Sequence, residues 1–537
     1  MRAVRILLGQ RLRRDRWQVP AWVVGTALLA LLSYVGVSQT YGTESDRVAL
    51  LATAVANPVI MLFRGLPSGA GEGPFVAFLI LPFLAMLAAF MSTFLAVRHT
   101  RAEEEQGRAE LISATPAGRI APTTATIAHG VLANVALAVL SALALLACGL
   151  PAAGSWLAGA AAGTVGLVFL GVGLVAAQVL STARAANALA VWLVLLTYLI
   201  GGIGNALGTP DADLQRIESS GLAWLSPFGW AENARPFADD DVRPVLLALL
   251  VGGLLVAASV VLAAHRDLGE GFVAARAGRP SARPALSTPV ALAWRLTWPA
   301  IAGWAAGGLV TGLLATRLSA ALADAASYLP SVQAILDALT RDGSLAQGAI
   351  VIFFTMLGIL AACAAVQVIC RARQEEARGT AEAVLSTPTG RVGWLGGYLA
   401  VGFAAILLVV AAAVAGAALG LIGGDMSLLG DVLVTGGGQA AAASVFLVVT
   451  ALVFVLAPRL TIPLGWTLVM LGMILGLCGA LFGFPDAVVH LAPIADAPTV
   501  TGDGVDLQGL GWLLATTVVG GGGALGLMRR RELAPAG

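Results

Sequence analysis

The acidic residues with the most regular spacing in this chain come in two matching sets. Arg101 to Arg119 reads RAEEEQGRAELISATPAGR, and Arg373 to Arg391 reads RQEEARGTAEAVLSTPTGR. At a constant offset of 272, without gaps, ten of the nineteen positions are identical. Glu103, Glu104, Gly107 and Glu110 recur as Glu375, Glu376, Gly379 and Glu382, each set closed by Thr-Pro and a Gly-Arg pair. Carboxylates so placed do charge pairing and docking rather than covalent chemistry. A helix predicted over about 98–113 turns Glu103, Gly107 and Glu110 toward one side, and sets Glu104 and Arg108 at i and i+4 in the favourable order. Thr115-Pro116 would stop it, Gly118 would allow a tight turn, and Arg119 would anchor the next apolar run at the interface. A charge run is ordinarily a solvated loop with local ion pairs. Duplication favours a surface docked twice by one partner, because a solvated loop needs neither a fixed Gly nor acids at one spacing in two drifted halves. Gly107 and Gly379 would let a partner's backbone or a crossing helix come close.

All 31 basic residues are Arg and none is Lys, while Ala and Gly abound, a pattern of GC-rich bacterial genomes. A phosphate-binding P-loop needs its Lys, as does a Schiff base, so the chain is expected to hold no nucleotide site and no catalytic residue of its own. Cys148, Cys363, Cys370 and Cys478 lie in or beside apolar runs without metal spacing and read as small core residues. No metal site is expected, and nothing points to nucleic acid.

The elements that must position the two charged segments are membrane spans. Hydrophobic residues make up 58% of the chain, charged residues 11%, and mean hydropathy is +0.89. A soluble protein could not hide that much apolar surface. With about 20 apolar residues per span, about twelve spans are expected, near 20–40, 75–97, 122–149, 156–181, 186–208, 245–264, 299–316, 348–370, 392–422, 432–457, 461–483 and 508–528. The fold class is therefore an all-α polytopic membrane protein. Residues 1–264 form a first six-span repeat with its charged loop at 98–121, and residues 265–290, rich in Arg, Pro and Gly, form a linker. Residues 291–537 form the second repeat, with its loop at 371–391. Residues 1–18 carry six Arg and an apolar face of Val4, Leu7, Leu8 and Leu12, which suits an amphipathic helix at the membrane surface or a plain basic flank. With the N-terminus inside, 24 of the 31 Arg fall on inner segments. Both termini and both charged loops are then cytoplasmic, and the halves are parallel repeats about an axis along the membrane normal.

The pattern R-x-E-E-x-x-G-x-x-E followed by T-P-x-G-R, twice in a twelve-span chain, resembles the permease subunit of bacterial ABC-2-type exporters. More narrowly, it resembles the fused two-repeat branch associated with export of polyketide antibiotics and other drugs. The similarity covers essentially the whole chain: the basic entry, the charged loop after span 2, the Ser-Pro motif of Leu225–Trp230 (LSPFGW) after span 5, and the six-plus-six duplication, in which Leu491-Ala492-Pro493 sits where Leu225-Ser226-Pro227 does. The resemblance implies that each charged loop is a coupling helix docking onto a separate ABC ATPase, in two copies, which carries the ATP and Mg. By position, Glu103, Glu104, Gly107, Arg108 and Glu110, with Glu375, Glu376, Gly379 and Glu382, would form the docking surfaces. Glu105 and Arg108 become Ala377 and Thr380, so the two surfaces need not be equivalent. The cargo implied is a hydrophobic or amphipathic small molecule, exported across the bacterial cell membrane as in multidrug efflux and antibiotic resistance.

A secondary drug:proton antiporter of six-plus-six symmetry is the alternative. It usually needs a buried carboxylate, and Asp324, Asp425, Asp431 and Asp486 all fall near outer span ends. A third reading is an ATPase-linked complex that senses its ligand without transporting it. His99 reads as an interface residue, and His129, inside span 3, as a neutral hydrogen-bonded group without an acidic partner in the spans. His490 is placed in an outer loop. Asn187, Asn205, Gln178, Gln367, Tyr198, Phe90 and Phe94 suit a substrate path and ordinary interhelical packing equally. Trp224, Phe228 and Trp230 suit an aromatic belt somewhat better than a helix closing the exit. Substrate-binding residues are not specified.

Overall fold

In a computed structural model of the chain the described residues are 2–56, 58–273, 287–328, 345–422, 426–478, 486–501 and 504–532. Two compact units are present, Met1–Gly278 and Arg279–Gly537. Among the described residues twelve helices are long and apolar enough to cross a membrane, six in each unit. The expected all-helical, multi-pass architecture is what the chain adopts. The β-structure described is a pair of two-stranded hairpins, Thr209–Pro210 with Ile217–Glu218 and Thr499–Thr501 with Gly504–Asp506.

In the first unit, α1 (Arg2–Arg14), α2 (Gln18–Thr40), α3 (Glu44–Ala56) and α4 (Pro58–Phe63) lead to α5 (Glu72–Arg98). Two short helices, α6 (Arg101–Glu105) and α7 (Arg108–Ser113), precede α8 (Ala121–Ala147), α9 (Ala152–Val179) and α10 (Ala183–Ala206). Short α11 (Pro227–Asn233) and then α12 (Arg243–His265) complete it. α5 and α9 are the most buried spans and pack on each other, while α2, α10 and α12 keep most of their apolar surface outward. Leu246, Leu250, Leu254 and Val261 of α12 are exposed, as expected of a helix that meets lipid. In α5, Pro82 has no N–H to give the Phe78 carbonyl. The Gly65 N–H donates to that carbonyl instead, at 3.0 Å, so this backbone group is not left open in the apolar interior.

The second unit holds α13 (Pro289–Tyr328), α14 (Leu345–Ala377), α15 (Thr380–Leu385), α16 (Arg391–Gly420), α17 (Leu428–Leu456), α18 (Thr461–Cys478), α19 (Asp486–Val489) and α20 (Leu510–Met528). α13 lies along α16, with Gly312 against the Ala413 carbonyl and Gly416 against the Leu309 carbonyl. Small residues thus let two backbones touch, the packing expected of the Ala- and Gly-rich spans.

Several expectations change in detail. The segment after α12 is packed, not loose: the Val273 N–H donates to the Val179 carbonyl at 2.9 Å, and Gly271 lies on Leu180 and Ser181. The stretch 274–286 of the expected linker lies outside the described residues. Phe228 and Trp230 are buried, leaving Trp224 as the one exposed ring of the three, so LSPFGW forms a helix in the bundle rather than an aromatic belt. Its Ser226 Oγ caps α11 and also donates to the Thr197 carbonyl of α10 at 2.6 Å. Cys148, Cys363 and Cys370 are free thiols, the last two buried. Asp425, and the side chains of Cys478, Asp324 and Asp486, are outside the described set. Asp431 accepts from Gln347 Nε2 at 3.0 Å.

Candidate functional site

The first charged segment is not one helix. Gly107 takes a left-handed conformation, φ +69°, and separates α6 from α7. A β-carbon there would meet nothing within 4 Å, so this glycine serves the bend of the backbone. The bend brings Arg108 back onto Glu103, with Nε and Nη2 donating to the carboxylate at 2.8 and 2.9 Å. The expected Glu104–Arg108 pair is therefore replaced by Glu103–Arg108, and Glu103 also accepts from Arg14 of α1.

Glu104 turns inward instead, its side chain 10% exposed. It accepts from Arg101 Nη1 at 2.9 Å and from both terminal nitrogens of Arg266, one at 2.9 Å. Arg266 directly follows α12, the last span of the unit, and its Nε donates to Gln178 Oε1 of α9 at 2.9 Å. Arg101 donates to the Ala177 carbonyl at 2.9 Å and the Glu270 carbonyl at 2.8 Å. Arg119 donates to the Arg266 carbonyl, and Glu105 accepts from the Ala183 N–H at 2.8 Å, at the open start of α10. The segment is thus a handle clamped to α9, α10 and α12 of its own unit. A cavity of about 700 Å³ lies beside it, lined by Leu7, Arg11, Glu103, Arg108, Leu111 and Arg266 among others.

The second handle repeats the device with different residues. Gly379 is again left-handed, φ +75°. Glu375 accepts from Thr380 Oγ1 at 2.7 Å and pairs with Arg371 at 2.5 Å, so Thr380 stands where Arg108 does and holds the same carboxylate across the same bend. Glu376, with a side chain 2% exposed, pairs with Arg531 at 2.5 Å and Arg373 at 3.7 Å. Arg391 donates to the Arg531 carbonyl at 2.6 Å, as Arg119 does to that of Arg266. Arg531 follows α20, the last span of the second unit, and its guanidinium lies 4.6 Å from the Phe454 ring centroid.

Of the predicted site residues, the structure groups Glu103, Glu104 and Arg108 in one clamp and Glu375 and Glu376 in the other. Glu110 and Glu382 are exposed, alongside Leu111, Glu105 and Gln106 on the first handle and Arg378, Thr380 and Ala383 on the second. Sequence reasoning does not find Arg266 and Arg531. Their signal is an Arg just past the last apolar run of each half, which in sequence looks like ordinary positive-inside charge.

A second buried polar cluster adjoins the first handle. Asp15, between α1 and α2, lies 2.5 Å from Nε2 of His99 and 3.2 Å from Nε2 of His129, with Arg98 3.2 Å from its other oxygen. Asp15, His99 and His129 are all buried. His129 thus has the acidic partner that its span could not supply, and His99 is interior rather than interfacial. Arg11 of α1 donates to the Pro122 carbonyl at 2.6 Å and the His99 carbonyl at 3.2 Å. Burial pulls this guanidinium down to about 10, with Glu103 and Asp15 opposing. The three ligand-type atoms converge within 4.8 Å, yet two guanidiniums already act on the single carboxylate. A divalent cation would add to that positive charge, so the cluster is a latch in which one carboxylate holds α1 against α5 and α8.

The family described as "Multidrug efflux system permease Rv1217c, C-terminal domain" matches residues 5–263 and 286–529 of this chain. The "Multidrug efflux system permease protein Rv1217c" of Mycobacterium tuberculosis (strain ATCC 25618 / H37Rv) is 34% identical over 513 residues, covering 95% of this chain and 91% of that protein. Two handles built alike, and a match running through both units, lead to one assignment: the chain belongs to the Rv1217c multidrug efflux permease family.

Proposed function

We propose that the chain is the transmembrane permease subunit of an ATP-driven ABC-2-type exporter, which moves hydrophobic or amphipathic compounds such as polyketide antibiotics and drugs out of the cell. ATP and Mg would reside on a separate ABC ATPase, one copy under each handle, with both handles and both termini cytoplasmic. The two units would be parallel repeats that switch between inward- and outward-facing cavities. The observation that carries this reading is that each handle is wired to the last span of its own unit, through Glu104–Arg266 and Glu376–Arg531. A push on a handle then reaches the spans as a rigid displacement rather than dissipating in a loop.

The clamps also refine the roles of the candidate residues. Glu103, Glu104, Glu375 and Glu376 hold the handles in place, while Glu110 and Glu382 belong to the face offered to the ATPase. Arg108 and Thr380, though different, perform one job, which supports two docking sites of equal shape. The antiporter alternative gains buried carboxylates, at Asp15, Glu232 and Glu376. Inverted membrane vesicles separate the two. Accumulation of a fluorescent hydrophobic dye is expected to require ATP and to continue when a protonophore collapses the proton gradient. Accumulation that stops at once with ATP present would transfer the assignment to the antiporter, and none under either condition would leave a sensing complex.

A further inference from the structure

At the end of the first unit remote from its handle, α11 carries a carboxylate that neither clamp nor latch uses. Glu232 is 5% exposed and Asn205, at the end of α10, is fully buried. Asn205 Nδ2 donates to the Glu232 carboxylate, and this is the hydrogen bond described for that side chain. Asn205 Oδ1 has no donor among the described residues. Among the described residues no cation acts on the Glu232 carboxyl. Arg235 donates to the Ile217 carbonyl at 2.8 Å and pairs with Glu218 at 3.0 Å. Arg243 of α12 holds Asp241 at 2.8 Å. Arg64, after α4, lies near Tyr41 and Tyr198 rather than against Glu232. On α10, Tyr198 donates to the Phe63 carbonyl at 2.6 Å. Glu72 of α5 bonds Tyr34, and α9 contributes no ionisable side chain.

We propose that Glu232 is a proton-binding site, neutral while its carboxyl pairs with the Asn205 amide, and that releasing the proton requires α11 to part from α10 so the carboxylate meets water. A carboxylic O–H supplies the donor that the amide oxygen lacks, and acid and amide then each give one hydrogen bond and take one. A lone carboxylate in the same place would be buried without a counter-charge. Burial pushes the Glu232 carboxyl up to about 8, against a smaller downward pull from the Asn205 hydrogen bond. The closed arrangement therefore has its full stability below the unfolded-state value of about 4.3 and loses it as pH rises through the folded value. Aligned on Leu225-Ser226-Pro227 and Leu491-Ala492-Pro493, the matching position in the second unit is Pro498, so the site is single. It stands apart from the ATPase reading and holds whichever way transport is driven.

The test is infrared difference spectroscopy on the purified full-length chain between about pH 6 and about pH 10, where ordinary carboxyls are already ionised. A protonated-carboxyl band should vanish with a midpoint near 8 in the wild type and be missing in Glu232→Gln. Amide exchange across 221–233, corrected for its intrinsic pH dependence, should rise through the same midpoint and stay flat in Glu232→Gln. An identical band in Glu232→Gln, or exchange blind to the substitution, overturns the proposal. Should Glu232→Gln fail to fold, Asn205→Ala replaces it. Loss of the amide, which both gives to the carboxyl and accepts its proton, should move the midpoint away from the wild-type value, and an unmoved midpoint also overturns the proposal.

Discussion

Glu104→Ala is expected to destabilise the first unit by roughly 3–5 kcal/mol, the usual cost of stripping one partner from a buried ion pair. The carboxylate is shared by two guanidiniums that are nearly fully enclosed, Arg101 at 1% and Arg266 at 7% exposure. Neither can turn to water without dragging Ala177, Gln178 and the segment after α12 with it. Glu376→Ala should do the same in the second unit, through Arg373 and Arg531. Glu110→Ala, on the exposed face, should stay within about 0.5 kcal/mol of wild type. Thermal unfolding of the three variants in mild detergent checks the order. Equal unfolding of Glu104→Ala and Glu110→Ala would mean that the clamp holds nothing.

Asp15→Ala is expected to destabilise by several kcal/mol, roughly 1–3 kcal/mol for each of the two buried imidazoles left without an acceptor, plus the lost counter-charge of the partly exposed Arg98. It should also free α1, so limited proteolysis would cut near residues 14–17 in the variant and not in the wild type. The pH dependence has a definite sign. Burial pushes the Asp15 carboxyl up, but hydrogen bonds from His129 and His99 and the positive charge of Arg98 override it and hold the group well below the usual carboxylate range. Its contribution is therefore complete above the unfolded value of about 3.9 and is lost only as pH falls through the depressed folded value. The stability gap between wild type and Asp15→Ala should persist across neutral and mildly acidic pH, with some variation as His99 titrates, and close only in strong acid. A gap that closes near neutrality would contradict the role given to the carboxylate.

The spans are legible in the sequence because a run of about 20 apolar residues has few other uses, and the handles are legible because they occur twice. Chain pattern does not show where the polar side chains point. Glu104 and Arg108 have ideal helical spacing, yet Gly107 ends the helix between them and hands Arg108 to Glu103. Glu104 finds Arg266 at a separation of 162 residues, a pairing that local periodicity cannot carry. Asp15 reads as one charge in a basic flank, and only the fold of α1 places it beside His99 and His129. Glu232 sits in a polar-looking connection whose burial comes from α11 inserting among α5, α9, α10 and α12. In each case a polar residue is visible, but its burial is decided by helices distant in sequence.

The clamps also decide which substitutions can test coupling cleanly. Reversing Glu104 and Glu376 would collapse the handles themselves, so a lost partner would prove little. The exposed pair Glu110 and Glu382 is the better choice. The most direct measurement is affinity purification of the full-length chain from its native membranes in mild detergent, with co-purifying proteins identified. The wild type should bring down a P-loop ATPase, two copies per chain, and the double variant Glu110→Arg/Glu382→Arg should lose it while unfolding at the wild-type temperature. A chain that purifies alone, or an ATPase retained by the double variant, would contradict the claim that these two handles are where ATP hydrolysis meets the membrane spans.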